Sequence, residues 1–172
     1  PVIEEHKVVG VITRTDLLKL LQEELRTASG EGARKTRVLS GLMREKLPEW
    51  AFTLLKEAGE VAASHGFSAY AVGGFVRDLV LRRENLDIDI VIEGGNGIVF
   101  AEDFAKRNGA KVKVHHRFKT AVIVFPDGFK LDVATARLEY YERPGALPTV
   151  EQSSLKLDLY RRDFIINTLA LS

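Results

Sequence analysis

Two acidic residues, Asp87 and Asp89, lie at the start of a short apolar stretch that ends at Ile92. The alternation of Asp with Ile predicts a β-strand. Side chains alternate faces along a strand, so the two carboxylates share one face, roughly 7 Å apart at about 3.3 Å rise per residue. Ile88 and Ile90 then enter a core. Two neighbouring carboxylates repel each other unless a cation lies between them. The pair is therefore a candidate cation site, although an acidic strand end without function has the same pattern.

A pair of glycines, Gly73 and Gly74, separates a predicted strand from a predicted helix. Glycine lets the backbone approach a ligand closely, and the N–H groups at a helix start bind anions. Arg77, one turn into the helix, can donate charge-assisted hydrogen bonds to a phosphate, and Asp78 beside it is placed to hold Arg77. Tight turns also contain glycine pairs. The carboxylate pair on the next strand is what favours a phosphate seat here.

A third carboxylate, Asp132, lies in a predicted hairpin strand, where it shares the polar face with Lys130 and Ala134. A lone aspartate on such a face is usually just exposed to solvent. If this strand is a neighbour of the strand of Asp87, however, three carboxylates converge, as a two-metal site requires.

Two arginines, Arg161 and Arg162, precede Asp163 at a junction between two predicted helices. Asp163 is placed to cap the second helix. Without any function, this pattern is a capped helix with a surface ion pair, which contributes little stability.

The elements that must position these residues alternate between helices and strands. Strands are predicted at 67–72, 87–92, 112–115, 119–125 and 129–135, and helices between Pro48 and Gly66 and at 75–82, 98–108, 154–161 and 164–171. Residues 140–150 contain two prolines and a glycine and are predicted to form a loop. This order predicts an α/β (α+β) domain with a mixed β-sheet flanked by helices.

Composition limits the class of protein. The chain has 172 residues, of which 45% are hydrophobic and 28% charged, enough for one domain, or one domain plus a fragment. It has no cysteine, which excludes disulfides and thiolate metal sites and fits a reducing, cytoplasmic compartment. No apolar run is long enough to span a bilayer, so no membrane contact is expected. The net charge is only +1, so the basic clusters are interpreted as solvated surface rather than a nucleic-acid groove.

The N-terminal region predicts a strand at 8–12 and a helix that ends near Leu25, followed by a polar linker at 28–36. The segment 9–18 resembles the last strand and helix of a CBS module. In that family, residues at the positions of Thr13 and Asp16 contact the ribose of an adenine nucleotide, although helix capping is our preferred interpretation of both. Residues 1–27 are accordingly predicted to be the C-terminal remnant of a CBS module, and 37–172 a separate domain.

Four segments resemble, in order, the successive motifs of the class II tRNA nucleotidyltransferases and bacterial poly(A) polymerases. They are Gly73-Gly74-Phe75-Val76-Arg77-Asp78, Asp87-Ile88-Asp89, Asp132-Val133-Ala134-Thr135-Ala136-Arg137 and Arg161-Arg162-Asp163-Phe164-Ile165-Ile166-Asn167. The resemblance implies a polymerase-beta-like nucleotidyltransferase head. It also implies site roles: Asp87, Asp89 and Asp132 bind metal and act in catalysis, and Gly73, Gly74, Arg77, Asp78, Arg137, Arg161, Arg162 and Asp163 surround the nucleotide.

The same resemblance implies template-independent addition of nucleotides to the 3′ end of tRNA, with two Mg²⁺ ions and with ATP, or also CTP, as substrate. Ile165 and Thr168 depart from the family pattern, and both changes are interpreted as packing. The family's nucleotide-selecting motif and its helical neck and body are expected beyond this chain. AMP addition, CCA addition and poly(A) tailing therefore stay open, with the CBS-like segment favouring AMP addition. An alternative of another class is an adenine-nucleotide sensor with a silent head. The sequence does not indicate an oligomeric state.

Overall fold

The computed structural model describes residues 2–4, 7–10, 38–140, 143, 147–162 and 164–172. The predicted N-terminal helix with Thr13 and Asp16, the predicted linker at 28–36, and Asp163 lie outside these residues. Strands β1 (Val2–Glu4) and β2 (Lys7–Gly10) pair in antiparallel fashion, and β2 overlaps the strand predicted at 8–12. The assignment of residues 1–27 to a CBS remnant stays a prediction.

From residue 38 onward, helices and strands follow one another largely in the predicted order. The helices are α1 (Ser40–Lys46), α2 (Glu49–Ser64), α3 (Gly74–Val80), α4 (Gly97–Arg107) and α5 (Leu155–Tyr160). The strands are β3 (Ser68–Val72), β4 (Asp89–Glu93), β5 (Lys111–His115), β6 (Thr120–Val124), β7 (Lys130–Thr135), β8 (Arg137–Tyr140), β9 (Thr149–Gln152) and β10 (Ala170–Leu171). None of the helices in this part of the chain has the length and apolarity needed to cross a membrane.

The central sheet has six strands in the order β10-β3-β4-β7-β6-β5. Its neighbouring strands are antiparallel except for β4 and β7, which run parallel. The predicted mixed sheet is thereby confirmed. Strands β8 and β9 pair with each other in a separate antiparallel ribbon on either side of the predicted 140–150 loop. The sequence prediction missed this ribbon.

One face of the central sheet is buried under α2 and α4. Helix α4 contributes Phe100 and Phe104, which are fully buried and stack with ring centroids 5.5 Å apart. The sheet and the residue before β4 contribute Ile88, Ile90, Ile92, Ile123, Leu131 and Val133 to this core, and the strand pattern predicted the burial of Ile88 and Ile90. Burying one such side chain contributes about 1.5–3 kcal/mol, so this layer holds the sheet and the two helices together.

The opposite face of the sheet is only partly covered. Helix α5 packs Leu155 and Leu159 against a small cluster formed by Val72, Val91 and Ala136. The remainder of this face, towards β7, β6 and β5, carries polar and partly exposed side chains. Functional side chains on this face therefore remain accessible from solvent.

The predicted final helix at 164–171 is wrong. The structure has a 3₁₀ turn at Ile165–Asn167 followed by β10, which pairs with the edge of β3. The Leu169 carbonyl also accepts a hydrogen bond from the Gly73 N–H at 3.2 Å. Tertiary pairing satisfies backbone groups that an isolated helix would satisfy internally, and β-branched isoleucines do not favour a helix strongly.

Candidate active site

The carboxylates of Asp89 and Asp132 are brought together by the register of two parallel strands. Asp89 is the first residue of β4, and its partner across the β4–β7 pair is Asp132. The Asp132 N–H donates to the Ile88 carbonyl at 3.3 Å. Residues directly opposite on neighbouring strands share a face. The predicted convergence of these two carboxylates is therefore present in the backbone pairing itself.

Asp87 lies just outside the strand, contrary to the predicted strand start. Its backbone N–H donates to Asn85 Oδ1 at 2.8 Å, a local turn in which Asp87 is exposed. Ile88 next to it is 1% exposed and belongs to the core. The alternation of the two isoleucines with the aspartates is thus kept, but Asp87 is held by a turn rather than by the sheet.

The three carboxylates influence one another electrostatically. Burial, together with the charges of Asp87 and Asp132, raises the pKa of Asp89 to about 6, against the opposing charge of Arg162. Burial and the charge of Asp87 also raise the pKa of Asp132. A cluster of carboxylates with raised pKa values in a cleft is a typical functional site. The repulsion between these carboxylates also lowers the stability of the metal-free protein, and a bound cation would remove that repulsion.

Hard carboxylate oxygens are the donor set that suits Mg²⁺. Among the described residues, no group of three or more His, Cys, Asp or Glu side chains already has an arrangement that holds a metal ion. Mg²⁺ generally uses one or two carboxylates and completes its shell with water and substrate phosphates, rather than a closed protein cage. The adjacent pair Asp89 and Asp132, with Asp87 beside them, fits that incomplete type of site.

The diglycine lies directly beside the carboxylates. Gly73 has φ of 73°, in the left-handed region that favours glycine. A Cβ atom built on Gly73 would lie 3.0 Å from Arg162 Nη1 and 3.7 Å from Asp89 Oδ2. Gly73 itself is buried and its N–H is bonded to Leu169, whereas Gly74 is partly exposed. Gly74 is therefore the glycine that is open to a ligand, and Gly73 permits the close packing of Arg162 and Asp89.

Arg77 is held from two sides. Its Nε and Nη2 donate to the two carboxylate oxygens of Asp78, both at 2.8 Å, and its Nη1 donates to Asn167 Oδ1 at 2.9 Å. Asn85 donates to Asp78 as well, at 2.8 Å. These hydrogen bonds, led by that from Arg77, lower the pKa of Asp78 to about 2. The predicted contact between Asp78 and Arg77 is thus present, and it orients a guanidinium group next to Gly74, whose added Cβ would be 3.6 Å from Nη2.

A second carboxylate, Asp158, organises the other arginines. It is fully buried and accepts hydrogen bonds from Arg161 Nε and Nη2 at 3.1 and 2.9 Å and from Arg162 Nη2 at 3.2 Å. The Arg137 N–H also donates to it at 3.3 Å. The alternative without function, a surface ion pair at Arg161 and Arg162, is therefore wrong. The sequence signal was available, since Asp158 precedes the two arginines by three and four residues at the end of a helix.

Glu139 links two of these arginines. It accepts from Arg137 Nε at 3.1 Å and from Arg161 Nη1 at 3.0 Å. Arg137 Nη1 donates in addition to the carbonyl of Phe118. Both arginine side chains are mostly buried, with 13% and 18% of their surface exposed. Their guanidinium groups are consequently fixed in position, as the binding of a charged ligand requires.

Arg162 stands between this network and the carboxylates. One end of its guanidinium contacts Asp158, while Nη1 lies against Gly73. Its Nε is buried and has no hydrogen-bond partner among the described residues. A buried donor without a partner costs about 1–3 kcal/mol, so it usually marks a position where function overrides stability.

A cleft of about 560 Å³ unites most of these groups. Of the predicted site residues, Asp89, Asp132, Arg137, Arg161 and Arg162 line it. Gly73 and Gly74, with Arg77 and Asp78, adjoin it at the start of α3, where Gly73 lies against Arg162 and Arg77 donates to Asn167. Asp87 is not among the residues that line it. Sequence reasoning missed the lining residues Glu139 and Asn167 as site residues, and it missed Asp158 and Asn85, which fix the arginines from behind.

Comparison with known proteins identifies similar chains. Residues 69–172 match the family model described as the poly A polymerase head domain. An A-adding tRNA nucleotidyltransferase from Geobacter sulfurreducens is 53% identical over 99% of this chain, which covers 20% of that protein. The corresponding enzyme from Aquifex aeolicus is 44% identical over the whole chain, which covers 19% of it. The chain thus spans about a fifth of the length of these curated relatives.

Solved structures agree with the fold. The apo form II of a CCA-adding enzyme has a TM-score of 0.71 and 48% sequence identity, over 78% of this chain and 31% of that one. A Thermotoga maritima CCA-adding enzyme complexed with tRNA has a TM-score of 0.66 and 40% identity, over 78% of this chain and 29% of that one. Both structures share the fold of this chain.

Proposed function

The chain belongs to the poly A polymerase head-domain family, and on that premise we propose that it is the nucleotidyl-transferring head of a tRNA nucleotidyltransferase. In the proposed reaction the 3′-hydroxyl of an RNA attacks the α-phosphorus of ATP. The new bond joins the 3′-oxygen to that phosphorus, the bond to the β-phosphate oxygen breaks, and pyrophosphate leaves. The single observation that carries the proposal is the pairing of Asp89 with Asp132 beside Gly73 and Arg162.

Asp87, Asp89 and Asp132 would hold the divalent cations, which we propose to be two Mg²⁺ ions. Their donor chemistry fits: the charge of Asp87 raises the pKa values of Asp89 and Asp132, that of Asp132 raises the pKa of Asp89, and Arg162 is the positive charge that opposes this at Asp89. When bound, Mg²⁺ would neutralise phosphate charge and acidify the attacking hydroxyl. Asp132 has a raised pKa and lies on the far side of Asp89 from the diglycine, so it is the carboxylate that we assign to the 3′-hydroxyl and its proton.

The triphosphate is assigned to the side of the diglycine. Gly74 is partly exposed at the first turn of α3, and Arg77 lies next to it with its orientation fixed by Asp78 and Asn167. Arginine recognises phosphate through several donors at once, and fixing it in advance reduces the entropy lost on binding. Arg137, Arg161 and Arg162 line the same cleft and would surround the rest of the nucleotide, with Asp163 expected to follow them.

AMP is the nucleotide that we propose to be added. The support is the agreement of relatives over the whole of this chain, since the Geobacter and Aquifex proteins are both named A-adding enzymes. The curated CCA-adding relatives are 36–39% identical over 62–70% of the chain, although a CCA-adding enzyme of known structure is 48% identical over 78% of it. Poly(A) tailing is the second candidate, because the matched family model is described by that activity.

The experiment is nucleotide incorporation by the full-length protein. A tRNA transcript that ends in CC, one that ends before CC, and an unstructured RNA are each incubated with ATP or CTP. We expect a single AMP on the first transcript only. Addition of CMP to the second would indicate CCA addition, and long tails on the third would indicate poly(A) polymerase activity.

The carboxylate assignment is tested with two variants and a matched control. Asp87→Ala and Asp132→Asn each lose a proposed cation ligand, and we expect kcat to fall by at least about 100-fold, since several kcal/mol of charge stabilisation is lost. Glu102→Gln on the exposed surface of α4 removes a carboxylate far from the cleft and should leave kcat unchanged. Near wild-type turnover of Asp87→Ala would contradict the proposed role.

A further inference from the structure

The row of paired residues that contains Asp89 and Asp132 continues across the sheet to a lysine. Val72 pairs with Asp89, Asp89 with Asp132, Asp132 with Val122, and Val122 with Lys113. All of these side chains lie on one face of the sheet, because directly opposed residues share a face. Lys113 is thus on the same open surface as the carboxylates, two strands away from Asp132, or about 10 Å at a strand spacing of about 4.8 Å.

A neighbouring row adds two more lysines on this face. Lys111 pairs with Val124, and Val124 pairs with Lys130. All three lysines are exposed, and none forms an ion pair with another residue in the part of the chain that the structure describes. Asp132 is the only carboxylate in the sequences of β5, β6 and β7. This surface, formed by Lys111, Lys113 and Lys130, is called the lysine face below.

Protection of the sheet edge does not account for the lysine face. Lysines on an edge strand prevent pairing with other chains, which would explain Lys111 and Lys113 on β5. Lys130, however, is on β7, an interior strand between β4 and β6. Asp132 offsets part of the charge of Lys130, but strands β5 and β6 contain no carboxylate near Lys111 and Lys113. The positive charges of this surface repel one another, and a polyanion would remove that repulsion.

The position of the lysine face relative to the cleft indicates which polyanion would bind there. The cleft that the proposed nucleotide would occupy is lined by Thr120 and Arg137, at the end of β7 that follows Asp132. Lys130 and Lys111 lie at the opposite end of the paired strands, and Lys113 lies in the row of Asp132. A nucleotide in the cleft therefore leaves the lysine face for the strand whose 3′ end is extended. The distance of about 10 Å from Asp132 to Lys113 corresponds to roughly three nucleotides stacked at 3.4 Å.

We propose that the lysine face binds the phosphates of the RNA strand just upstream of its 3′ end. This inference rests on the proposed nucleotidyl transfer and adds a substrate-binding surface to it. Contacts to phosphates position a strand without reading its sequence, which is the role of exposed lysines in nucleic-acid complexes. The face would therefore hold the RNA so that its terminal hydroxyl reaches Asp132, and it would contribute to RNA affinity rather than to the chemical step.

The test compares two double variants of the full-length protein. Lys111→Gln/Lys113→Gln removes two charges from the lysine face, and Lys56→Gln/Lys106→Gln removes two exposed charges from α2 and α4 on the covered side of the sheet. Binding of a tRNA transcript ending in CC is measured by fluorescence anisotropy over a range of salt from about 50 to about 200 mM. Incorporation of AMP into the same transcript gives kcat and the KM values for RNA and ATP.

We expect the first variant to raise the RNA dissociation constant and RNA KM about 5- to 30-fold and to lower the slope of log affinity against log salt by about 1.4, at about 0.7 per lost phosphate contact. Its kcat at saturating RNA and its KM for ATP should stay within about twofold of wild type. Lys111→Arg/Lys113→Arg should restore both affinity and slope. The α2/α4 variant should behave as wild type.

An unchanged RNA affinity and salt slope in the first variant would overturn the inference, as would an equal loss in the α2/α4 control. If the edge variant self-associates, Lys130→Gln on the interior strand carries the test, with an expected slope change of about 0.7. Failure of the proposed function looks different: wild type would then add no nucleotide to any RNA, while the anisotropy measurement would still report whether the lysine face binds it.

Discussion

Replacing Asp89 with asparagine should stabilise the metal-free protein while abolishing its activity. The carboxylate lies partly buried between Asp87 and Asp132, and its pKa is raised to about 6 from an ordinary value of 3.8. A carboxyl group whose pKa is higher in the folded than in the unfolded state binds more protons when folded, so stability falls as the pH rises through that interval. At pH 7.5 without metal, the folded protein therefore bears the full cost of the Asp89 charge.

The size of this effect follows from the shift. About two pKa units at 1.36 kcal/mol each give an upper limit of about 3 kcal/mol, and solvent screening of this partly exposed group reduces it to about 1–2 kcal/mol. The asparagine side chain in Asp89→Asn keeps the shape of the aspartate but not its charge. For a chain of this size we expect a rise in melting temperature of about 2–8 °C. Loss of a proposed cation ligand should lower kcat by about 100-fold or more.

The assay is thermal unfolding of wild type and Asp89→Asn in a chelator at pH 5.0 and pH 7.5, and again with Mg²⁺. The variant should gain stability at pH 7.5, and about half as much at pH 5.0, which lies midway between the unfolded and folded pKa values of Asp89. Mg²⁺ should raise the wild-type melting temperature and leave the variant nearly unaffected. Glu102→Gln is the control for loss of an exposed carboxylate. A variant that is less stable than wild type in chelator at pH 7.5, or a gain independent of pH, would refute the electrostatic reasoning.

Three further substitutions test the supports of the site. Gly73→Ala places a methyl group in the left-handed region and 3.0 Å from Arg162 Nη1, so we expect a loss of about 1–2 kcal/mol in unfolding free energy and a raised KM for ATP in steady-state kinetics. Asp158→Asn weakens a buried anchor for Arg162 and should cost about 3 kcal/mol in urea unfolding; a loss below about 1 kcal/mol would contradict its anchoring role. Glu93→Ala removes the acceptor of the Leu155 N–H at the start of α5 and should cost about 1 kcal/mol, whereas Glu93→Gln should retain most of the stability.

Local sequence patterns specified most of the core and the individual strands. The alternation around Ile88 and Ile90 assigned the buried face of β4 correctly, because a strand has a period of two whatever its partners are. The same pattern placed Asp132 on the polar face of β7. No local pattern specifies that β4 and β7 are parallel neighbours, because a helix and two strands separate them along the chain. The resemblance to a family supplied that convergence, and the register now accounts for it.

The failures of sequence reasoning share one cause, which is tertiary pairing. The residues after Phe164 were predicted to be helical, but Ala170 and Leu171 complete the edge of β3 instead. Arg161 and Arg162 were predicted to surround the nucleotide, but the only carboxylate that the sequence pattern offered them was Asp163, the next acidic residue. Their actual partner, Asp158, is buried by the packing of α5 on the sheet, and sequence alone does not reveal that burial.

The two halves of the site differ in how they are fixed, and one strand connects them. The carboxylates are positioned by sheet register, which cannot change without shifting every pair in β4. The arginines depend on α5, a helix of only six residues that is too short to be stable alone. Glu93, at the far end of β4 from Asp89, accepts the Leu155 N–H at 2.7 Å and the Tyr70 hydroxyl at 3.3 Å. The strand that begins with a proposed cation ligand therefore ends with the cap of the helix that carries Asp158. A substitution that displaces either end of β4 should therefore displace both the carboxylates and the arginines.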